Sequence, residues 1–298
     1  MTNNRYSKGK VAVVTGSSSG IGFETSLLLS RMGFYTYATM RNLNKSQKIN
    51  DVAEKENLSL KVLKLDVTDD NSVKNAFRQI KEESSRIDVL VNNAGYGIVG
   101  AVEDLSLEEF KSQFETNFFG VIRVTKEVIP LMRNQGYGSI INVSSVGGKI
   151  GIPLNSTYIS SKFALEGLSE SMRYELKQFG VDVILIEPGV VKTSFFENVK
   201  VVLNTNTTTN TNKKTPVYSE LSQKLFESFE PMIKSNSASL PSDVAKVIYQ
   251  AIESPTRQVR YSVGKDAFSI FNMRQKLSDE EFENWITESI FHKKSFIN

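Results

Sequence analysis

Six short runs rich in β-branched residues, at 10–15, 34–39, 59–65, 89–91, 139–143 and 181–186, alternate with longer segments whose apolar residues recur at helical spacing. Nothing else in the chain restricts its fold so tightly. A strand, a helical crossover and a second strand make a right-handed βαβ unit, and a series of such units makes a parallel sheet. The runs are apolar almost throughout rather than alternating, as befits strands covered by helices on both faces. The expected architecture is α/β, a doubly wound parallel sheet. A chain of 298 residues, 40% of them hydrophobic, suffices for one such domain with additions.

The pattern loosens after Phe195. Residues 204–212 are only Asn and Thr, a composition with nothing to bury, and a mobile surface loop is expected there. Leu221, Leu225, Phe229 and Ile233 then return at helical spacing, Pro241-Ser242-Asp243 opens a helix running through Gln250, and a short strand is expected near 259–263. No linker marks a second domain. The reading is one domain over 8–265 with an insertion at about 194–240, followed by a C-terminal extension over 266–298 that belongs to substrate binding.

Cysteine is absent and the one histidine is His292, placed in a solvated tail, so thiolate metal sites, cysteine nucleophiles and Ser-His pairs have no material. No metal is expected. Basic residues exceed acidic ones by only three, too few for the field that nucleic acid binding requires. The polar N-terminus carries no signal-peptide core and eighteen apolar residues nowhere follow one another, so a soluble, cytoplasmic protein with no transmembrane segment is expected.

The first run ends in Thr15-Gly16-Ser17-Ser18-Ser19-Gly20-Ile21-Gly22, followed by a helix expected to bury Phe23, Leu27 and Leu28. Glycines at spacings of four and two permit a tight turn, close backbone approach to a pyrophosphate and close helix–strand contact, with the helix N-terminus facing the anion. Standing alone, such a cluster also fits an ordinary strand–helix turn. Asp66-Val67 follows the third run, where the carboxylate suits either an adenine amine or the cap of the next helix. Asn92-Asn93-Ala94-Gly95 follows the fourth, and its small residues let backbone approach a ribose. After the second run no acid appears until Asp51, whereas NAD-selective sites place one at the strand end. Arg41 stands there instead. It can clamp a 2′-phosphate, which favours NADP(H) over NAD(H), or it is simply an exposed residue opening a helix.

Tyr158 and Lys162 lie four apart in a segment of helical period, 155–179, and share one face. At about 4 Å and an effective dielectric near 20, an ammonium favours the phenolate by roughly 4 kcal/mol before solvation costs. That would bring the Tyr158 pKa down by about two or three from its ordinary value near 10 and fit it for acid–base work. Tyr6/Lys10 and Tyr261/Lys265 repeat the spacing, but only Tyr158 has a serine thirteen residues upstream, Ser145, at the end of the fifth run. A hydroxyl there can hold a substrate oxygen against the phenol; Ser144 is the neighbouring alternative. Asn117 falls mid-helix, where an amide is locally unfavourable, and is either a buried amide tied to backbone or a working residue.

TGxxxGxG at 15–22, NNAG at 92–95, Ser145, Tyr158 with Lys162, and Pro188-Gly189-Val190-Val191-Lys192-Thr193 come in the order of the short-chain dehydrogenase/reductase family, which the chain resembles from Lys10 to Thr193. The resemblance implies a Rossmann fold and hydride transfer between a nicotinamide and a carbonyl or secondary alcohol. It implies cofactor contacts from Gly16, Ser18, Ser19, Gly20, Ile21, Gly22, Arg41, Asp66, Val67, Asn93, Ala94, Gly95, Tyr158, Lys162, Pro188, Gly189, Val191 and Thr193. Catalysis is implied for Asn117, Ser145, Tyr158 and Lys162, with Asn117 holding a water that links Lys162 to solvent. Residues 241–266 are similar to the hydroxysteroid- and retinol-dehydrogenase-like branch, and a homodimer or homotetramer is implied.

Phe195, Phe196, Leu225, Phe226, Phe229 and Met232 suit an apolar substrate pocket, although core packing explains helically spaced aromatics equally well. A catalytically silent NADP(H)-binding regulator is the alternative, but it has no need of Ser145, Tyr158 and Lys162 together. Epimerases and dehydratases acting on nucleotide sugars resemble a TGxxGxxG turn without NNAG, and the sequence disagrees on both counts.

Overall fold

A computed structural model describes residues 9–195, 198–203, 217–234 and 238–291. Tyr6, Phe196, the Asn/Thr run and His292 lie outside the described residues, as do the side chains of Met232 and Ile233. The strands in chain order are β1 (Val11–Val14), β2 (Tyr35–Met40), β3 (Leu60–Lys64), β4 (Val89–Asn92), β5 (Ile98–Val99), β6 (Gly138–Val143), β7 (Val181–Pro188), β8 (Lys200–Val201) and β9 (Arg260–Val263). The helices are α1 (Gly20–Arg31), α2 (Gln47–Lys55), α3 (Asp70–Glu83), α4 (Leu107–Phe114), α5 (Gly120–Gln135), α6 (Ser156–Lys177), α7 (Ser219–Lys234), α8 (Pro241–Glu253), α9 (Lys265–Lys276) and α10 (Asp279–Phe291).

Seven strands form one parallel sheet in the order β3-β2-β1-β4-β6-β7-β9, with Val13 of β1 paired to Tyr37 on one side and Leu90 on the other. The chain winds outward from β1 to β3, then returns to build the other half from β4. Such a reversal opens a crevice beyond the carboxyl ends of β1 and β4.

Successive residues of β1 divide between the two faces. Val11 and Val13 join Phe77, Val128 and Met172 under α3, α5 and α6; Ala12 and Val14 join Leu29 and Ile248 under α1 and α8. Two covered faces explain why the run reads as unbroken apolar sequence. Each large side chain so buried contributes roughly 1.5–3 kcal/mol. On α1 the buried large apolar residues are Phe23, Leu27 and Leu29, while Leu28, expected on that face, is half-buried. The helix is squeezed between the sheet and α8, so its buried arc is wider than one stripe.

A third cluster lies over the carboxyl edge of the sheet. Phe282, Ile286 and Ile290 of α10 pack with Ile270 of α9 and Leu225 of α7 against Ile150 and Leu154. The sequence reading predicted neither α9 nor α10. It also missed β5 and β8, which pair Ile98 with Lys200 and Val99 with Val201 in a separate sheet. Two residues per strand show no periodicity to read. Among the described residues no helix is long and apolar enough to cross a membrane.

Candidate active site

The carboxyl ends of the strands surround a cleft of about 820 Å³. Every cofactor or catalytic candidate lines it except Gly22 and Asn117. The glycine turn shows why the spacing matters. Gly16 and Gly20 take φ of +70° and +60°. A Cβ on Gly16 would stand 2.8 Å from the Ala94 Cα, and one on Gly20 3.1 Å from Thr193 Cγ2. A Cβ on Gly22 would collide with Asn93 Nδ2 and the Gly16 carbonyl. Gly22 thus lies beneath the cleft and makes room for Asn93, whose Nδ2 donates to the carbonyls of Thr15 (2.9 Å) and Gly16 (3.2 Å).

Ser19 is the N-cap residue of α1, yet its side chain makes no capping bond and the first turn carries no acid. Ser194 Oγ instead donates to the Ser19 hydroxyl at 3.2 Å. The first-turn N–H groups therefore have no side-chain acceptor among the described residues, and Gly20 and Ile21 line the cleft. An uncapped helix start beside bare glycines is a cradle that fits a pyrophosphate.

Asp66 Oδ1 accepts from the backbone N–H (3.0 Å) and hydroxyl (2.7 Å) of Thr68. The alternative reading of Asp66 as a helix cap is corrected: Asp69 caps α3, because it is the residue that reaches Asn71 and Ser72 N–H. Arg41 is exposed at the rim and has no ion-pair partner among the described residues. It does not open a helix, since Asn42 caps a single 3₁₀ turn beginning at Leu43.

Opposite the glycine turn, Tyr158 and Lys162 stand on successive turns of α6. Ser145 caps a 3₁₀ turn, its Oγ accepting from Gly147 N–H at 3.1 Å. Gly147 lies between Ser145 and Tyr158, its Cβ position 3.4 Å from Tyr158 Cε1 and 3.5 Å from Ser145 Oγ, and the Ser145 hydroxyl makes a hydrogen bond with Tyr158. Ser144 Oγ is buried without a hydrogen-bond partner among the described residues, turned toward Gly148 and Glu166. That orientation selects Ser145 over Ser144. Tyr261 sits on β9 with its hydroxyl accepting from Gln258 N–H, and Lys265 starts α9 beyond Gly264, so this second pair shares no helical face.

Lys162 Nζ donates to the Val143 carbonyl at 2.8 Å. Burial pulls its pKa down to about 8, opposed by the Glu166 carboxylate. Burial pushes Tyr158 up, opposed by a hydrogen bond with Ser145. The expected lowering of Tyr158 is therefore corrected for the protein by itself: desolvation disfavours the phenolate and outweighs the hydrogen bond with Ser145.

Asn117 lies on a π turn, Glu115–Phe119, between α4 and α5. It is buried, with Oδ1 accepting from Tyr96 N–H at 3.1 Å and Nδ2 donating to the Tyr96 carbonyl (3.0 Å) and Ser161 Oγ (3.2 Å). Its side chain is a tied amide, and π turns recur at functional sites. Beyond β7, Asp266 Oδ2 accepts from Val190 N–H at 2.6 Å, and a Cβ on Gly189 would collide with that carboxylate. Burial pushes the Asp266 pKa up.

Phe195, Leu225, Phe226 and Phe229 line the end of the cleft next to Tyr158, and the Phe195 ring meets the Tyr158 ring edge-on at 5.7 Å. Lys45, Tyr96 and Asn155 are among the lining residues that the sequence reading did not single out. Lys45 was readable as a second cation one turn after Arg41, and Asn155 as the residue one helical turn before Tyr158. Tyr96 gives no signal of its own.

The sequence model described as short chain dehydrogenase matches residues 10–202. An uncharacterized oxidoreductase of Bacillus subtilis, YusZ, is 40% identical over 261 residues, 86% of this chain and 89% of that protein. Bovine retinol dehydrogenase 8 is 38% identical over 260 residues, covering 84% and 80%. Among solved structures, a short-chain dehydrogenase from Streptomyces avermitilis superposes with a TM-score of 0.78 at 29% identity, covering 95% of this chain and 98% of that one. The residues matched by the family model include the glycine turn, the NNAG loop and the Ser145, Tyr158 and Lys162 wall. The chain belongs to the short-chain dehydrogenase/reductase family, enzymes that act on CH–OH groups with NAD(P) as acceptor.

Proposed function

We propose that the protein interconverts a lipophilic ketone and its secondary alcohol with NADP(H), using Tyr158 as the proton donor and acceptor. The observation that carries this reading is the meeting of Ser145, Tyr158 and Lys162 on one wall of a cleft whose far side is an uncapped helix N-terminus. Gly16 to Gly22, Asn93 to Gly95 and the turn from Pro188 to Thr193 would hold the dinucleotide. When bound, the nicotinamide supplies or takes up the hydride.

The remaining work falls to the chain. Ser145 and Tyr158 hydroxyls hold the substrate oxygen, and Tyr158 gives that oxygen its proton as the carbonyl is reduced. Lys162 as an ammonium stabilises the phenolate left behind and hands it a proton. A water at Asn117 would refill Lys162 from solvent; both N–H donors of the Asn117 amide are already spent, so the water would donate to Oδ1, which has a second lone pair beside the bond it accepts from Tyr96 N–H.

Selection of the 2′-phosphate rests on Arg41, which has no carboxylate partner among the described residues, with Lys45 nearby along the same rim. The apolar substrate is supported by Phe195, Leu225, Phe226 and Phe229, and by a relative named for retinol, an apolar alcohol. Residues 194–240 and 266–298 act together as the substrate-binding portion, since α7, α9 and α10 share one core. We further infer a homodimer or homotetramer on family grounds. NADPH oxidation followed at 30 °C or so against apolar and polar ketones of matched reactivity tests the assignment; turnover with polar ketones alone, or with NADH alone, refutes it.

A further inference from the structure

Behind the Tyr158 and Lys162 wall lies a buried charged cluster that the reading above leaves unused. Glu166 follows Lys162 by one turn of α6 and is 5% exposed; Glu187, the residue before the Pro188-Gly189 turn, is 2% exposed. Both meet Arg260 of β9, whose Nε lies 3.1 Å from Glu166 Oε2 and 3.2 Å from Glu187 Oε1 while its Nη2 pairs with Glu170. One guanidinium serves three carboxylates. Glu166 Oε1 has no hydrogen-bond partner among the described residues, nor has Ser144 Oγ beside it. Gly148 makes their approach feasible, since a Cβ there would stand 2.7 Å from Ser144 Oγ and 3.0 Å from Glu166 Oε1.

An acid held this deep without a full set of partners is costly, and neutral side chains would pack the space at no such cost. What it offers is charge, one helical turn from Lys162. A buried lysine loses its proton unless a counter-charge offsets burial, and Glu166 is the carboxylate that opposes the loss. The groups facing Glu166 are Lys162 and Glu170 on its own helix, Glu187 on β7 and Arg260 on β9, while Lys149, ahead of α6, acts on Glu187.

We propose that Glu166 is a positioning residue, the buried counter-charge that keeps Lys162 an ammonium, and that Arg260 fixes the Glu166 carboxylate in place through its ion pair. The proposal rests on the reading of Lys162 as the partner of Tyr158. It makes β9, a strand with no residue in the cleft, part of what sets the proton supply.

The test reads Lys162 directly, in the full-length protein labelled with ¹³C-lysine, its resonance identified by its loss in Lys162→Arg. In Glu166→Gln the Lys162 titration midpoint moves down by about one pH unit or more. Glu166→Asp, which keeps the charge, moves it less. If Glu166→Gln fails to fold, Glu166→Leu takes its place, because Arg260 keeps Glu170 and Glu187 as partners. The alkaline limb of kcat for ketone reduction moves down in parallel. An unchanged Lys162 midpoint in a folded Glu166 variant overturns the proposal. Because the titration needs no turnover, a failure of the Tyr158 reading, seen as an active Tyr158→Phe, is recognised separately.

Discussion

The side-chain nitrogen of Lys162 lies 5.7 Å from the centroid of the Tyr158 ring and spends a hydrogen bond on the Val143 carbonyl, at the end of β6. The lysine is thereby anchored to the strand that also delivers Ser145. Its charge acts on the phenol across a short gap rather than through a bond, which leaves the phenol hydroxyl to Ser145 and substrate.

Tyr158→Phe keeps the ring, and with it the edge-on contact to Phe195, but removes the transferable proton. The expected fall in kcat is at least about a hundredfold, the lower range for general acid–base catalysis, with far less change in cofactor affinity. Tyr261→Phe, which loses only a bond from Gln258 N–H, keeps wild-type turnover. Steady-state kinetics on both variants decides between the two tyrosines; the reverse pattern sinks the assignment.

Arg41→Ala weakens NADPH binding by about 1.5–3 kcal/mol and leaves NADH nearly untouched, because a charge-assisted partner of the 2′-phosphate is all that is lost. Nucleotide fluorescence titration measures both. Equal weakening of the two cofactors would show that Arg41 acts on the fold rather than on the phosphate.

Gly22→Ala drives a methyl group into the Asn93 amide and the Gly16 carbonyl, both of them backbone-anchored. Overpacking of this kind costs about 1–3 kcal/mol, and here it also pushes apart two loops of the cofactor cleft. Lower thermal stability and weaker NADPH binding should appear together. Gly151→Ala meets nothing within 4 Å and serves as the neutral control.

Burial, with repulsion from Glu166, pushes the Glu187 carboxyl up from an ordinary 4.5 to about 7. The folded chain therefore keeps a proton that the unfolded chain releases, so this stabilisation is complete below 4.5 and is lost as pH rises through 7. Glu187→Gln removes the effect. Relative to that variant, wild-type Tm should decline between about pH 5 and pH 8, as the group deprotonates. A Tm difference that stays flat with pH argues against a raised carboxyl.

The sheet was readable because β1, β6 and β7 are buried on both faces, which leaves continuous apolar runs that no surface strand would carry. The glycine turn and the Tyr158 pair were readable because their chemistry depends on spacing along the chain. Asp266 was not, since its partner Val190 lies 76 residues away and a lone acid at a helix start looks like any cap. The π turn at Asn117 was equally hidden: one extra residue in a helical turn leaves the hydrophobic period almost unchanged. Residues 279–291 show the opposite failure, a helical stripe of Phe282, Ile286 and Ile290 that was present in the sequence and went unread.

The Asp266 carboxylate closes on Gly189 and Val190 from the start of α9, so the turn beyond β7 takes its shape from a residue near the end of the chain. As the polypeptide leaves the ribosome, all seven strands of the sheet emerge before the residue that makes this bracket. A nascent chain stopped before residue 266 holds every cofactor motif and lacks the fastening of the last one. The shape of that turn is therefore set by a residue made 76 positions after Val190.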